Sequence, residues 1–153
     1  MVDDLDIKIL KILQETGINP QMLCLELTES VIMQNSEEVI RKMHTLRKMG
    51  IKLSIDDFGI GYSSFEQLGR IPFTELKLDR SFVNRGIQDV AAMAILESSM
   101  DMARKLGLST VAEGVETEAE LELIRSLGCD RVQGYYVAKP MPPDEVLVWL
   151  SSR

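Results

Sequence analysis

The chain has 153 residues, 45% hydrophobic and 27% charged, which is enough apolar side chain for one core and an ordinary balance for a single globular domain. A formal net charge of −7 opposes a role in gripping nucleic-acid phosphates, so an anionic ligand would need a metal or a local cationic group. Cys24 and Cys129 stand in no metal-ligand spacing and read as free thiols of a reducing compartment. No run approaches about 18 apolar residues, and the start MVDDLDIKIL is acidic where a secretion signal is basic, so a cytoplasmic chain without a membrane segment is expected.

One unit recurs along the chain. A segment of helical period ends on a glycine, and a short β-rich run then closes on polar or acidic residues. ILKILQETG precedes LCLELTES, VIRKMHTLRKMG precedes IKLSIDD, DMARKLG precedes LSTVAEG, and LELIRSLG precedes CDRVQGYY. Strands are predicted at roughly 23–28, 51–56, 74–78, 109–113 and 131–136, short and β-branched or apolar as strands buried on both faces are. Before the second strand, Val39, Ile40, Met43 and Leu46 share one helical face. Ser36 can cap that helix with Glu37 and Glu38 in its first turn, and Gly50 suits the left-handed residue past its end. Thr117 and Glu120 have capping-box spacing ahead of Leu121, Ile124 and Leu127. KPMPP reads as the loop before a last helix carrying Val146, Leu147, Trp149 and Leu150. The alternation predicts parallel strands joined by helices, an α/β fold.

The polar residues fall in a pattern on this frame. Glu26 and Glu29 close the first strand run, Asp56 and Asp57 the second, Lys77 and Asp79 the third, Glu113 and Glu116 the fourth, and Gln133 the fifth. In a parallel α/β fold the carboxyl ends of strands share one face, where loops build the site. Adjacent strand residues point oppositely, yet at a strand terminus the turn lets Asp56 and Asp57 reach one centre. Carboxylates converging without counter-charge repel one another, and a divalent cation resolves the conflict. The donors are all oxygen, with the single His44 on a solvated-looking helix, so Mg2+ or Mn2+ suits them better than zinc. Two such ions can activate water for phosphodiester hydrolysis, with a lysine steadying the attacking hydroxide. The plainer reading of any one acid is a helix cap or a surface charge. Gly59 and Gly61 can equally serve only a tight turn, since GIGYSS lacks the lysine of a nucleotide-cradling loop.

The segments LELTES, DDFGIGYSS, ELKLDRSFV, VAEGVET and QGYYVAKPMP, in this order and spacing, closely resemble the EAL-domain family of cyclic di-GMP phosphodiesterases. The resemblance covers nearly the whole chain and implies a variant TIM barrel that hydrolyses cyclic di-GMP to pGpG with Mg2+ or Mn2+. It implies Glu26, Asp56 and Asp57 as metal ligands, Glu113 as ligand or general base, and Lys77 as the group holding the nucleophilic water. Gln133 would support that water and the substrate phosphate, and Glu29 would anchor the loop that contains Phe58, Gly59 and Gly61. Asp79 and Glu116 would make substrate or supporting contacts. The family's namesake Glu-Ala-Leu motif and the Asn-bearing strand after it do not occur, and Ile60 and Glu120 replace a usual threonine and glutamine. Residues 1–153 are therefore expected to form one truncated EAL domain, a partial TIM-type (βα) barrel holding about the last five of the eight strands. The expected activity is a phosphodiesterase impaired in the isolated chain. The alternative is an inactive EAL-like domain that binds cyclic di-GMP or a partner protein. Open sheet edges suggest a homodimer, or pairing with the missing N-terminal portion of the domain.

Overall fold

The computed structural model describes residues 4–28, 37–59 and 69–152. Its first helix, α1 (Leu5–Thr16), buries only Ile9 and Leu13 and stops at Gly17, whose N–H donates to Leu13 O at 2.9 Å. A 3-10 turn at Pro20–Met22 leads into β1 (Cys24–Thr28). Helix α2 (Glu37–Lys48) carries Glu37 and Glu38 in its first turn and Arg47 and Lys48 in its last, each sign opposing the helix dipole. Its Ile40, Met43 and Leu46 are buried, on the face the spacing predicts, and Gly50 follows at φ 95°. The expected Ser36 cap lies outside the described residues.

Beyond it come β2 (Lys52–Phe58), β3 (Glu75–Leu78), α3 (Arg80–Arg85), α4 (Val90–Leu106) and β4 (Ser109–Ala112). Then follow α5 (Glu118–Ser126), β5 (Arg131–Val132) and α6 (Pro143–Ser151). Asp89 caps α4 by accepting from Ala91 N at 2.8 Å and Ala92 N at 3.2 Å. Thr117 and Glu120 form the predicted capping box on α5. All four strand pairings are parallel, and the spatial order β1-β2-β3-β4-β5 follows the chain. A sheet that never reverses its order is that of a (βα) barrel rather than a doubly wound sheet. The fold is thus α/β, a parallel sheet with flanking helices resembling the barrel core.

The sheet has two unlike faces. Leu53, Ile55, Leu76 and Leu78 are buried against Met43 and Leu46 of α2, Val83 of α3, Leu96 and Met100 of α4 and Ile124 of α5. Each such side chain contributes about 1.5–3 kcal/mol of burial free energy. The residues that alternate with them, Ser54, Asp56, Glu75 and Lys77, lie on the opposite face and are polar. Near the strands' amino ends Glu75 accepts from Ser54 Oγ at 3.1 Å and from Arg131 Nη2, and that guanidinium also donates to Ser109 Oγ at 3.0 Å.

Two strands depart from expectation. β5 stops at Val132 instead of running to 136, because the backbone there bonds to the loop after β4. Val115 N donates to Gln133 O at 3.2 Å, and Tyr136 N donates to Val115 O at 3.0 Å. β2 runs on to Phe58 with a shift of register: Ile55 pairs with Leu76 but Phe58 with Leu78, which leaves one extra residue at Asp56–Asp57. That is a β-bulge, and it re-aims the side chains at the strand's end.

Candidate functional site

Three carboxylates from three elements meet one ammonium. Lys77 Nζ lies 2.9 Å from Glu26 Oε1 of β1, 3.0 Å from Asp56 Oδ1 of β2 and 2.7 Å from Glu113 Oε1, just past β4. The Lys77 side chain is only 6% exposed, while Glu26 is 53% exposed and Asp56 and Glu113 are each 21% exposed. Burial by itself lowers the lysine's pKa, but pairing with Glu113, Glu26 and Asp56 outweighs it and holds the group above its ordinary value. The lysine therefore stays cationic across the neutral range. One ammonium against three carboxylates leaves a surplus of two negative charges. Asp56 Oδ1 is buried, and beyond its ion pair with Nζ it has no hydrogen-bond partner among the described residues.

The donors are hard oxygens of the kind Mg2+ and Mn2+ prefer. Among the described residues, which leave out the Asp57 side chain and Glu29, no group of three His, Cys, Asp or Glu side chains is arranged to hold an ion. The carboxylates are turned onto the lysine, which supplies the positive charge itself.

The remaining predicted residues are dispersed around this centre. Asp79, 9% exposed, caps α3 by accepting from Ser81 N at 2.8 Å. Glu116 pairs with Arg80 at 3.5 Å. Gln133 is exposed and joined through its backbone, its N–H donating to Ala112 O at 2.8 Å. Phe58 ends β2 and packs against the core, and Gly59 turns the chain at φ 96°. Asp57 belongs to β2, with its side chain outside the described set, and Glu29 and Gly61 lie outside the described residues.

Beside Glu113 the loops after β4 and β5 enclose a cleft of about 400 Å³, lined by Glu113, Gln133, Arg80, Tyr135 and Lys139 among others. Two glycines permit it. A Cβ on Gly114, at φ 66°, would stand 2.4 Å from Arg80 Cβ, and one on Gly134 would stand 2.1 Å from Val115 O. Lys139 Nζ sits 5.8 Å from the centroid of the Tyr135 ring. Arg80, Tyr135 and Lys139 were not picked out by the sequence pattern. Arg80 follows the strand-end Asp79 directly, which is a usable signal, whereas Tyr135 and Lys139 reach the site only because β5 ends early.

Residues 6–140 match the family model for the EAL domain. The oxygen sensor protein DosP of Escherichia coli (strain K12) is 40% identical over 136 residues, which is 89% of this chain and 17% of that protein. The solved PaMucR phosphodiesterase in complex with c-di-GMP superposes with a TM-score of 0.90 at 40% identity, covering 94% of this chain and 58% of that one. The manganese/cy-diGMP complex of Klebsiella pneumoniae BlrP1 at pH 9.0 gives a TM-score of 0.79 at 32% identity, over 87% of this chain and 34% of that one. The chain thus spans less than two thirds of each of these relatives.

Proposed function

Because the chain belongs to the EAL-domain family, we propose that it serves cyclic di-GMP signalling by binding the cyclic dinucleotide at its strands' carboxyl ends, without hydrolysing it in the arrangement described. The observation that carries this reading is the cleft beside Glu113. Its volume falls within the range of small-molecule sites. Arg80 and Lys139 offer cations to phosphodiester oxygens, and the exposed Tyr135 ring offers a face on which a purine can stack. The c-di-GMP complexes of PaMucR and BlrP1 support that choice of ligand.

Metal-dependent hydrolysis to pGpG is the second reading. It is favoured by the buried Asp56 Oδ1, whose one described partner is the Lys77 ammonium, and by the surplus negative charge around Lys77. In it Glu26, Asp56, Asp57 and Glu113 hold Mg2+ or Mn2+, and Lys77, Glu113 and Gln133 act on the reacting phosphate and water. Glu29, Asp79 and Glu116 take supporting roles. That arrangement requires the carboxylates to leave the ammonium. In either reading residues 1–153 act as one EAL unit in the cytoplasm, paired with a second copy or with an N-terminal portion of the same domain.

Calorimetry with cyclic di-GMP in EDTA, followed by chromatography of a reaction with Mg2+ or Mn2+, separates the two readings. Saturable binding in EDTA, weakened about tenfold by Arg80→Ala, with no pGpG formed, is expected. Catalytic turnover to pGpG would replace the first reading with the second. No binding under any condition would end both.

A further inference from the structure

The sheet's amino end carries a second cleft, of about 390 Å³, lined by Gln21, Arg47, Lys52, Thr74, Ser109 and Arg131, with Gly50 at its edge. It lies at the opposite end of the strands from the carboxylates, and its charge has the opposite sign. Arg131 is paired with Glu75. Neither Arg47 nor Lys52 has a carboxylate partner among the described residues, although most other described cations of this acidic chain have one. The cleft therefore holds a net surplus of two positive charges.

The donors left over decide what kind of ligand suits it. Thr74 Oγ1 already donates to Leu53 O at 3.0 Å, and Ser109 Oγ donates to Thr74 O at 3.1 Å. Arg47 spends Nη1 on Ile51 O at 2.7 Å, which fixes the guanidinium at the cleft wall and leaves its other N–H groups unspent among the described residues. The Lys52 ammonium, exposed on the first residue of β2, and the Gln21 amide add further N–H donors. Donors outnumber acceptors around a concave space with two uncompensated charges, which suits a compact dianion with acceptor oxygens on every side.

We propose that this amino-end cleft binds a phosphate group, with Arg47 and Lys52 as its principal contacts. The site is separate from the cleft proposed for the cyclic dinucleotide and does not depend on that assignment. The probe is inorganic phosphate, titrated into the chain at constant ionic strength and followed by amide chemical shifts and calorimetry. Saturable shifts are expected at Gly50, Thr74 and Ser109, and not at Gly114 and Gly134. Lys52→Gln should weaken binding by about tenfold, the effect of losing one charge-assisted contact. Its side chain is exposed, so the fold should stand, and Arg47→Gln provides an independent loss of affinity. Repeating the titration with guanosine 5′-monophosphate distinguishes the sources: equal affinity assigns free phosphate, and tighter binding with the same shifts assigns a nucleotide-borne one. Absence of shifts at those amides in the wild-type chain, or unchanged affinity in both variants, would overturn the site.

Discussion

Lys77 is held by carboxylates from three neighbouring elements, so its charge has a defined effect on stability. Its folded pKa lies above the ordinary lysine value. The stabilisation is therefore fully present below about pH 10.4, the unfolded value, and is lost as pH rises through the higher folded value. Lys77→Met should cost on the order of 2 kcal/mol at neutral pH, less than a fully buried pair because Glu26 is more than half exposed. In denaturant titrations that difference should shrink above about pH 10.4. If the ammonium occupies the place of a cation, Lys77→Met should also bind Mn2+ about tenfold more tightly than the wild type, by calorimetry. Equal and weak binding in both would show that the carboxylates do not share an ion site. The four members of this cluster were legible because strand ends can be read from local pattern and their chemistry from residue type. What sequence does not state is that the lysine points into the acids: that depends on the register of β3 against β2 and β4.

At the scale of elements, the connection from β4 to β5 shapes the cleft. Glu120 Oε2 accepts from Glu116 N at 2.7 Å and Thr117 N at 2.9 Å, fixing the loop that follows Glu113. Thr117→Ala should cost about 1 kcal/mol and loosen that loop, read as faster amide exchange at Glu116. Asp130 ties the segment before β5 to β4, accepting from Thr110 N at 2.7 Å and Thr110 Oγ1 at 2.8 Å. Those two bonds hold its pKa below the ordinary carboxylate range. Its stabilisation is present above about pH 3.9, the unfolded value, and is lost as pH falls through the folded one. Asp130→Ala should lower stability by about 1–3 kcal/mol at neutral pH, because the buried Thr110 is left without its acceptor. The variant's acid unfolding should be correspondingly shallower. The capping box was legible in sequence because both partners sit within one helical turn. The early end of β5 was not, because the backbone groups that divert it belong to Val115, in another loop.

Across the whole molecule, the parallel sheet followed from counting alternations and its barrel-like order from the family resemblance, but the partners of its outer strands followed from neither. Among the described residues nothing pairs with the outer edges of β1 and β5. Exposed apolar side chains stand on α1, with Ile7 and Ile12, and on α6, with Leu147 and Val148. Unpaired edges and uncovered apolar faces favour association. Sedimentation at micromolar concentration should therefore show a dimer or larger species, and Leu147→Glu with Val148→Glu should shift it toward monomer if α6 takes part. A wild-type chain that sediments as a monomer would contradict this expectation. No described helix is long and apolar enough to cross a membrane, so these faces are short patches rather than spans.

The extra residue in β2 also limits how this segment can vary in length. Chain near a loop usually accepts insertions and deletions freely. Between Ile55 and Phe58, however, the extra residue is what lets two aspartates stand between residues paired with Leu76 and Leu78. Losing one residue would restore the regular ladder with Phe58 still opposite Leu78, and only one of the two aspartates would remain between them. Substitution can therefore adjust the chemistry of this edge, while loss of a single codon there would leave it one acid in place of two.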